Sequence, residues 1–294
     1  MNVAIVGAGY TGTRLARVCL RQGADVIAMT RASQRQAELT ALGARCVSLD
    51  LDSDGPAAAL SGMAGRDVFY MVPPSDVGDR DPRMGRFLAA LAAEPSCLVY
   101  LSTTAVYGDC GGQRVDERSP AEPASDRGRR RLDAERLALD WGSAHGVPVR
   151  VLRVPGIYGP GRLPLARLAA GASVARDEPS PRPGNRIHVD DLVGVCLAAS
   201  AYRGAHRVFN VGDGNHASMG EYFRRVAAIA GLPAPEELDM ETLLARSSPM
   251  MRSFLQESRR LDTGLMRSEL GYTPVYQDLD QGIEASLRED AEGG

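Results

Sequence analysis

Residues 3–12 read Val3-Ala-Ile-Val-Gly7-Ala-Gly9-Tyr10-Thr11-Gly12. The apolar run has the character of a strand buried on both faces. The G-x-G-x-x-G that follows opens a helical pattern over Thr13–Arg21, with Leu15, Val18 and Cys19 on one face. Asp25–Thr30 is again apolar and strand-like, so the stretch forms a βαβ unit of about thirty residues. In that setting Gly7 permits the tight turn, Gly9 lets the backbone approach a pyrophosphate, and Gly12 lets the helix pack on the strand. The amides at the helix start, reinforced by the helix dipole, face the phosphates. With 32 glycines in the chain, chance matches to this pattern are easy. Strand, loop and helix in the required order argue against a turn that binds nothing.

The alternation continues through the first two-thirds of the chain. Strands are expected at Arg45–Leu49, Asp67–Val72, Cys97–Ser102 and Pro148–Val154, the second halted by Pro73-Pro74. Helices are expected at Gln34–Leu42, Arg83–Ala93 and Arg129–His145. After Gly159 the rhythm loosens, and 175–184 reads as a proline-rich loop. Asp190–Ala201 is an apolar helix with Asp190 as its N-cap, and Val208–Val211 is a strand. Met219–Ala230, Glu236–Arg246 and Asp278–Arg288 read as helices, with the last five residues fraying. The fold class is α/β, a doubly wound, mainly parallel Rossmann sheet of six or seven strands with a smaller C-terminal substrate lobe. The dinucleotide-binding domain is expected over 1–158, with 186–211 returning to it; 159–185 and 212–294 make the lobe.

The 294 residues carry a net charge of −3, so nothing marks a nucleic-acid partner. The cluster Arg127-Gly-Arg-Arg-Arg131 is local and reads as the exposed opening of a helix. All 34 basic residues are Arg, so no Lys ammonium can serve in any active site. Five scattered Cys and four His show no metal-ligand spacing, and no metal is expected. No membrane span or signal peptide is apparent, and a cytoplasmic protein acting on a small molecule is the expectation.

The end of the second strand bears on the cofactor. An NAD-selective site usually places an acid there. The sequence has Met29-Thr30-Arg31, with Asp25 at the wrong end. Arg31, with Arg35 behind it, suits the 2′-phosphate of NADP(H) over NAD(H), the alternative being a solvated surface Arg. Asp50 and Pro73 lie, by topology, where adenine and ribose contacts fall.

Further landmarks are Leu101-Ser-Thr-Thr-Ala-Val-Tyr-Gly-Asp109, Leu152-Arg-Val-Pro-Gly-Ile-Tyr-Gly-Pro160, Asn185-Arg-Ile-His-Val-Asp-Asp-Leu192, Phe209-Asn-Val-Gly-Asp213 and Glu269-Leu-Gly-Tyr272. With the glycine motif, they make the chain resemble the extended short-chain dehydrogenase/reductases, the NAD(P)-dependent epimerase/dehydratase family. Together, the glycine motif, the strand ends and the resemblance give Gly7, Gly9, Tyr10, Thr11, Gly12, Arg31, Asp50, Pro73 and Pro155 as the expected cofactor contacts, Asp50 and Pro73 from topology only. It makes Thr103 the hydroxyl that bonds the reacting substrate oxygen. It also calls for Tyr-x-x-x-Lys at the next long helix, where this sequence has Arg127 and Arg131. An arginine stays protonated and cannot act as an ordinary general base.

Three readings stay open: an NADP(H) oxidoreductase in which Thr103 or Tyr107 handles the oxygen, a non-catalytic NADP(H) sensor, and a sugar-nucleotide epimerase or dehydratase. Tyr107 has a packed structural role as its alternative. Arg186, Arg182 and Tyr158 are the substrate-binding candidates, the arginines as bidentate partners of an anionic group. His188 is expected to pack at the hinge. By analogy, a homodimer would form through the helices at Arg83–Ala93 and Arg129–His145.

Overall fold

The computed structural model describes residues 1–53, 60–177 and 182–293. From the N-terminus run β1 (Asn2–Val6), α1 (Tyr10–Arg21), β2 (Asp25–Met29), α2 (Ser33–Ala41), β3 (Arg45–Val47), β4 (Asp67–Tyr70), α3 (Pro82–Ala89) and β5 (Cys97–Thr103). After a 3-10 turn at Thr104–Tyr107 come β6 (Arg114–Val115), α4 (Asp126–His145), β7 (Val149–Val154), β8 (Gly156–Tyr158), α5 (Leu165–Ala169), β9 (Ser173–Ala175) and β10 (Arg186–His188). The chain closes with α6 (Val189–Ala201), β11 (Val208–Asn210), α7 (Met219–Ala230), β12 (Glu236–Leu238), α8 (Met240–Arg246), α9 (Pro249–Gln256), β13 (Arg260–Leu261), α10 (Gly264–Ser268) and α11 (Leu279–Gly293).

Seven strands form one parallel sheet in the order β3-β2-β1-β4-β5-β7-β11. Period-two alternation distributes its side chains between two cores. Val3 and Ile5 of β1 face one way, with Leu15 of α1 and Leu192 of α6. Ala4 and Val6 face the other, with Met84 and Phe87 of α3 and Ala134 of α4. The order reverses beside β1, which leaves the crevice at its carboxyl end for a ligand. A separate core, with Tyr158, Leu168, Tyr222, Phe223 and Ile283, holds the second lobe together. Met266 of α10 belongs to the sheet's core, although 212–294 was expected to form the lobe. Among the described residues no helix is long and apolar enough to cross a membrane.

Several boundaries differ from the sequence reading, each for a local reason. Helix α4 starts three residues early because Ser125 Oγ accepts the Gly128 amide at 3.2 Å. Helix α3 is capped by Asp81 and led by Pro82, a pre-organised first position. Glu236–Leu238 is strand, paired with β9, and Asp239 caps the helix that follows. Asp190 is not the cap of α6. His188 is, its Nδ1 accepting the Asp190 amide at 3.3 Å. The last helix continues to Gly293 instead of fraying, with Leu279, Ile283 and Ser286 buried along it. Pro179 and Pro181 of the expected loop lie outside the described residues, and Ala175 ends β9.

A buried ion pair fixes the middle of the sheet. Glu135 of α4 and Arg153 of β7 are 2% and 6% exposed, with Arg153 Nη2 2.8 Å from Glu135 Oε2. Ser102 of β5 also donates to Glu135, and the Arg153 guanidinium lies 4.8 Å over the Tyr107 ring. Stranding one buried charge costs about 3–5 kcal/mol, whereas replacing both by apolar groups is often neutral. Glu135→Ala should therefore lower the urea midpoint sharply, while Glu135→Leu combined with Arg153→Met should lower it less. Equal losses in the two proteins would show that the pair is not what holds this junction.

Candidate functional site

The glycine loop has the shape that a dinucleotide needs. Gly7 sits at φ 92°, and a Cβ there would lie 2.9 Å from Val72 of the neighbouring strand end. A Cβ on Gly12 would meet Gly7 O and Ile5 at 3.0 Å, a tight contact that glycine relieves where α1 packs on β1. Gly9 is exposed, and a Cβ there would be in ordinary contact, 3.9 Å from Gly7 O and 4.0 Å from Arg35 Nη1. Gly9 is also the N-cap of α1 and offers no side-chain acceptor to the first amides. These donors fit a pyrophosphate. Thr11 is buried at the helix start. The Tyr10 hydroxyl turns away to donate to Pro160 O at 2.8 Å, and burial pushes it up to about 12.

Around the adenosine end of the crevice, Arg31 is exposed, its Nη1 3.6 Å from Asp50 and 3.9 Å from Asp52. Arg35 Nη1 lies 4.0 Å from the position a Gly9 Cβ would take, which brings a second guanidinium to the loop. Asp50 is engaged locally, its Oδ1 accepting the Asp52 amide at 3.0 Å. Arg83 went unnoticed in the sequence: it pairs with Asp52 and donates to Pro73 O at 2.9 Å, tying together the loops after β3 and β4. Its position four residues before Phe87 looked like ordinary helix surface.

At the end of β5, Thr103 is half-buried and its oxygen accepts the Ala105 amide at 3.3 Å, which leaves its proton free to donate. Tyr107 sits elsewhere. The residue is 3% exposed, and its hydroxyl lies 2.7 Å from Asn210 Oδ1 and 2.9 Å from Asp116 O, which supplies the packed role named as its alternative. Arg131 is laid along the strand, donating to Leu101 O at 2.9 Å and Tyr100 Oη at 3.2 Å. Arg127 occupies the first turn of α4. Partial desolvation and the neighbouring guanidinia of Arg131 and Arg130 hold it below the usual arginine value. A Cβ on Gly128 would lie 3.0 Å from Ala105 O, so this end of α4 is pressed against the turn that follows Thr103. Arg259 secures the same turn from the far end of the chain, donating to Gly108 O and Thr104 O at 3.0 Å.

The second lobe contributes a cavity of about 370 Å³ lined by Tyr158, Arg162, Arg167, Arg186, Tyr222 and Phe223, among others. Arg186, a substrate-binding candidate from the sequence, lines this cavity. Arg182 is not among the residues lining that cavity; its Nη1 donates to the carbonyls of Leu255 and Gln256 at 3.0 and 3.1 Å. Tyr158 is buried with no hydroxyl partner among the described residues, and desolvation raises it far above its ordinary value. Pro155 follows the carboxyl end of β7 directly.

Behind the cavity, His188 is packed between the rings of Tyr158 and Tyr276, centroids 5.2 and 4.2 Å away. Ser286 gives its proton to Gly282 O at 2.6 Å, so His188 Nε2, 3.2 Å from Ser286 Oγ, is assigned as the donor. The ring is neutral, and burial pushes its pKa down to about 4. Asp213 is 2% exposed, and burial pushes its carboxyl up to about 7, against the pull of the Asn215 amide and Arg186. Among the described residues no three His, Cys, Asp or Glu side chains are grouped to hold a metal ion.

Comparison with known proteins gives a consistent picture. Residues 3–212 match the NAD dependent epimerase/dehydratase family. Protein YeeZ of Escherichia coli (strain K12) is 29% identical over 256 residues, covering 80% of this chain and 86% of its own. A UDP-glucose 4-epimerase of Corynebacterium glutamicum is 26% identical over 319 residues, covering 95% and 92%. The solved structure of a functionally unknown conserved protein from Silicibacter pomeroyi DSS superposes with a TM-score of 0.82 at 32% identity, covering 98% of each chain.

His188 and Asp213 titrate with opposite signs. With its pKa lowered from 6.5 to about 4, His188 lets the unfolded chain bind the extra proton, so stability falls as pH drops through that window. With its pKa raised from 3.8 to about 7, Asp213 keeps its proton in the fold, so stability falls as pH rises through that window. Denaturation followed from pH 4 to 8 should therefore show stability rising with pH from 4 to 6.5 in Asp213→Asn. In His188→Gln it should fall as pH rises from 4 to 7. Parallel curves for both variants and the wild type would refute the assignment.

Proposed function

The chain belongs to the NAD dependent epimerase/dehydratase family, and from that premise we propose that it is an NADP(H)-binding oxidoreductase acting on a small molecule. That molecule would sit between the Rossmann sheet and the second lobe. The glycine cradle carries the reading: Gly7 at positive φ with no room for a Cβ, Gly12 pressed tightly on the strand, an exposed Gly9, and a helix start without a side-chain acceptor. When bound, the nicotinamide would supply hydride transfer, while the protein contributes binding, orientation and electrostatics. Thr103 offers its free hydroxyl proton to the substrate oxygen. Arg127 and Arg131 flank that strand end as permanent cations. They would stabilise negative charge developing on an oxygen but could not remove a proton.

The preference for NADP(H) rests on Arg31 and Arg35, two guanidinia beside the loop where a 2′-phosphate would project. Asp50 and Asp52 compete for Arg31 from the other side, and a bound phosphate would have to displace that exposed pairing. Similarity to the UDP-glucose 4-epimerase favours a second reading, a sugar-nucleotide epimerase or dehydratase. The arginines at the Tyr and Lys positions weigh against it and fit a binder without turnover equally well.

Fluorescence titration with NADPH and NADH separates these readings at the cofactor stage. The wild type should bind NADPH more tightly, and Arg31→Ala should weaken NADPH by about tenfold through the loss of a charged phosphate contact. NADH binding should barely change in the variant. Equal affinity for both nucleotides before and after substitution would remove the NADP preference. Binding of neither would remove the proposed function.

A further inference from the structure

Residues 71–81, between β4 and α3, form a strap laid along α4. At its start Arg83 donates to Pro73 O at 2.9 Å and Pro74 O at 3.1 Å. At its end Asp133 of α4 accepts the Asp81 amide at 2.8 Å and meets Arg80 at 3.4 Å. Between these anchors Arg130 donates to Gly78 O. The contacts step toward the N-terminus of α4, from 133 to 130, as the strap is followed back from 81 to 78. One turn further along the helix stands Arg127, and two residues further back in the strap stands Asp76. The two are near enough for the Asp76 carboxylate to act on the guanidinium, raising a value that burial and the neighbouring arginines lower.

The other acids in this half of α4 are engaged. Asp126 pairs with Arg129, Asp133 holds the strap, and Glu135 holds Arg153. Asp81 faces Arg131, but burial pushes its carboxyl up toward the neutral form. Arg127 and Arg131, with Asp76 as the facing carboxylate, therefore bring two guanidinia to the end of β5, where Arg131 donates to Leu101 O at 2.9 Å.

The order of the sheet puts this group at one end of the crevice. Arg31 and Arg35 mark the β2 side of the glycine loop, where the adenosine half of a dinucleotide would lie, so the nicotinamide half would extend over β4 and β5. An oxidised nicotinamide is a pyridinium cation and a reduced one is neutral, while the rest of the molecule is the same in both. Charge at this end of the crevice separates the two forms, and charge at the adenosine end does not.

We infer that Arg127 and Asp76 set the redox form in which the protein holds its cofactor. The guanidinia of Arg127 and Arg131 repel the oxidised ring and favour the reduced one, and Asp76 moderates that preference. The inference rests on the dinucleotide reading and adds to it which form loads the site.

Fluorescence titration with NADPH, followed by displacement of the bound NADPH with NADP⁺, measures the preference without any substrate. The wild type should hold NADPH about tenfold more tightly than NADP⁺. Arg127→Gln should narrow that ratio by about threefold, chiefly by strengthening NADP⁺, and Asp76→Asn should widen it. Arg129 turns back to Pro123 O and Ala124 O at 3.4 and 3.1 Å, so Arg129→Gln removes the same charge from the outer side of the turn and should leave the ratio as it is. Arg127 and Asp76 are exposed, and a loosened fold would weaken both forms alike, so the ratio reports the charge alone. Four outcomes overturn the inference: equal affinity of the wild type for both forms, a ratio unmoved by Arg127→Gln, one moved as far by Arg129→Gln, or a narrowing in Asp76→Asn. Equal binding of both forms leaves the dinucleotide reading standing, whereas binding of neither removes both.

Discussion

A carboxylate and a guanidinium, Glu135 and Arg153, are buried together where α4 meets β5 and β7, and most of the candidate site is hung from that junction. A charge in an apolar interior must be paired and hydrogen-bonded or it neutralises. Glu135 meets the requirement with Arg153 and Ser102, which are themselves partners in the register between β5 and β7. A slip of one residue would turn both side chains to the opposite face and strand the carboxylate. The pair thus sets where β5 ends, and Thr103 is the residue immediately beyond Ser102. It also sets the phase of α4, one turn of which separates Glu135 from Arg131 and two from Arg127.

That placement makes the chemistry of Arg127 and Arg131 more than a change of residue name. In a chain without lysine, the two positions flanking the strand end hold groups whose charge does not respond to pH in the physiological range. Under the proposed function, any proton transfer there would have to pass through hydroxyls or water, with the arginines acting on charge alone. Arg131 is committed to Leu101 O and Tyr100, so its contribution is a fixed field from the side of the strand.

What could be read from the sequence was mostly local. Strand, glycine loop and helix over residues 3–21 lie within one short window, and the loop's geometry follows from residue types that few other conformations accept. The absence of the Tyr and Lys that the family resemblance calls for was equally visible, because Arg127 and Arg131 stand at those positions. Features that depend on distant partners were not. Glu236–Leu238 has helical neighbours, and only β9, some sixty residues earlier in the chain, makes it a strand. His188 capping α6 depends on a ring held by Ser286 and Tyr276, ninety residues away. Arg162 and Arg167 line a cavity only because α7 brings Tyr222 and Phe223 to the same place. Arg182, chosen for its proximity to Arg186 in the chain, was drawn off by the carbonyls that end α9.

The bond from Tyr10 to Pro160, with Arg162 laid over the Tyr10 ring, crosses 150 residues of sequence to join the first turn of α1 to the base of the second lobe. It behaves as a mechanical joint. Any rocking of the lobe must drag the loop with it or tear this contact, so the two compartments share one fulcrum.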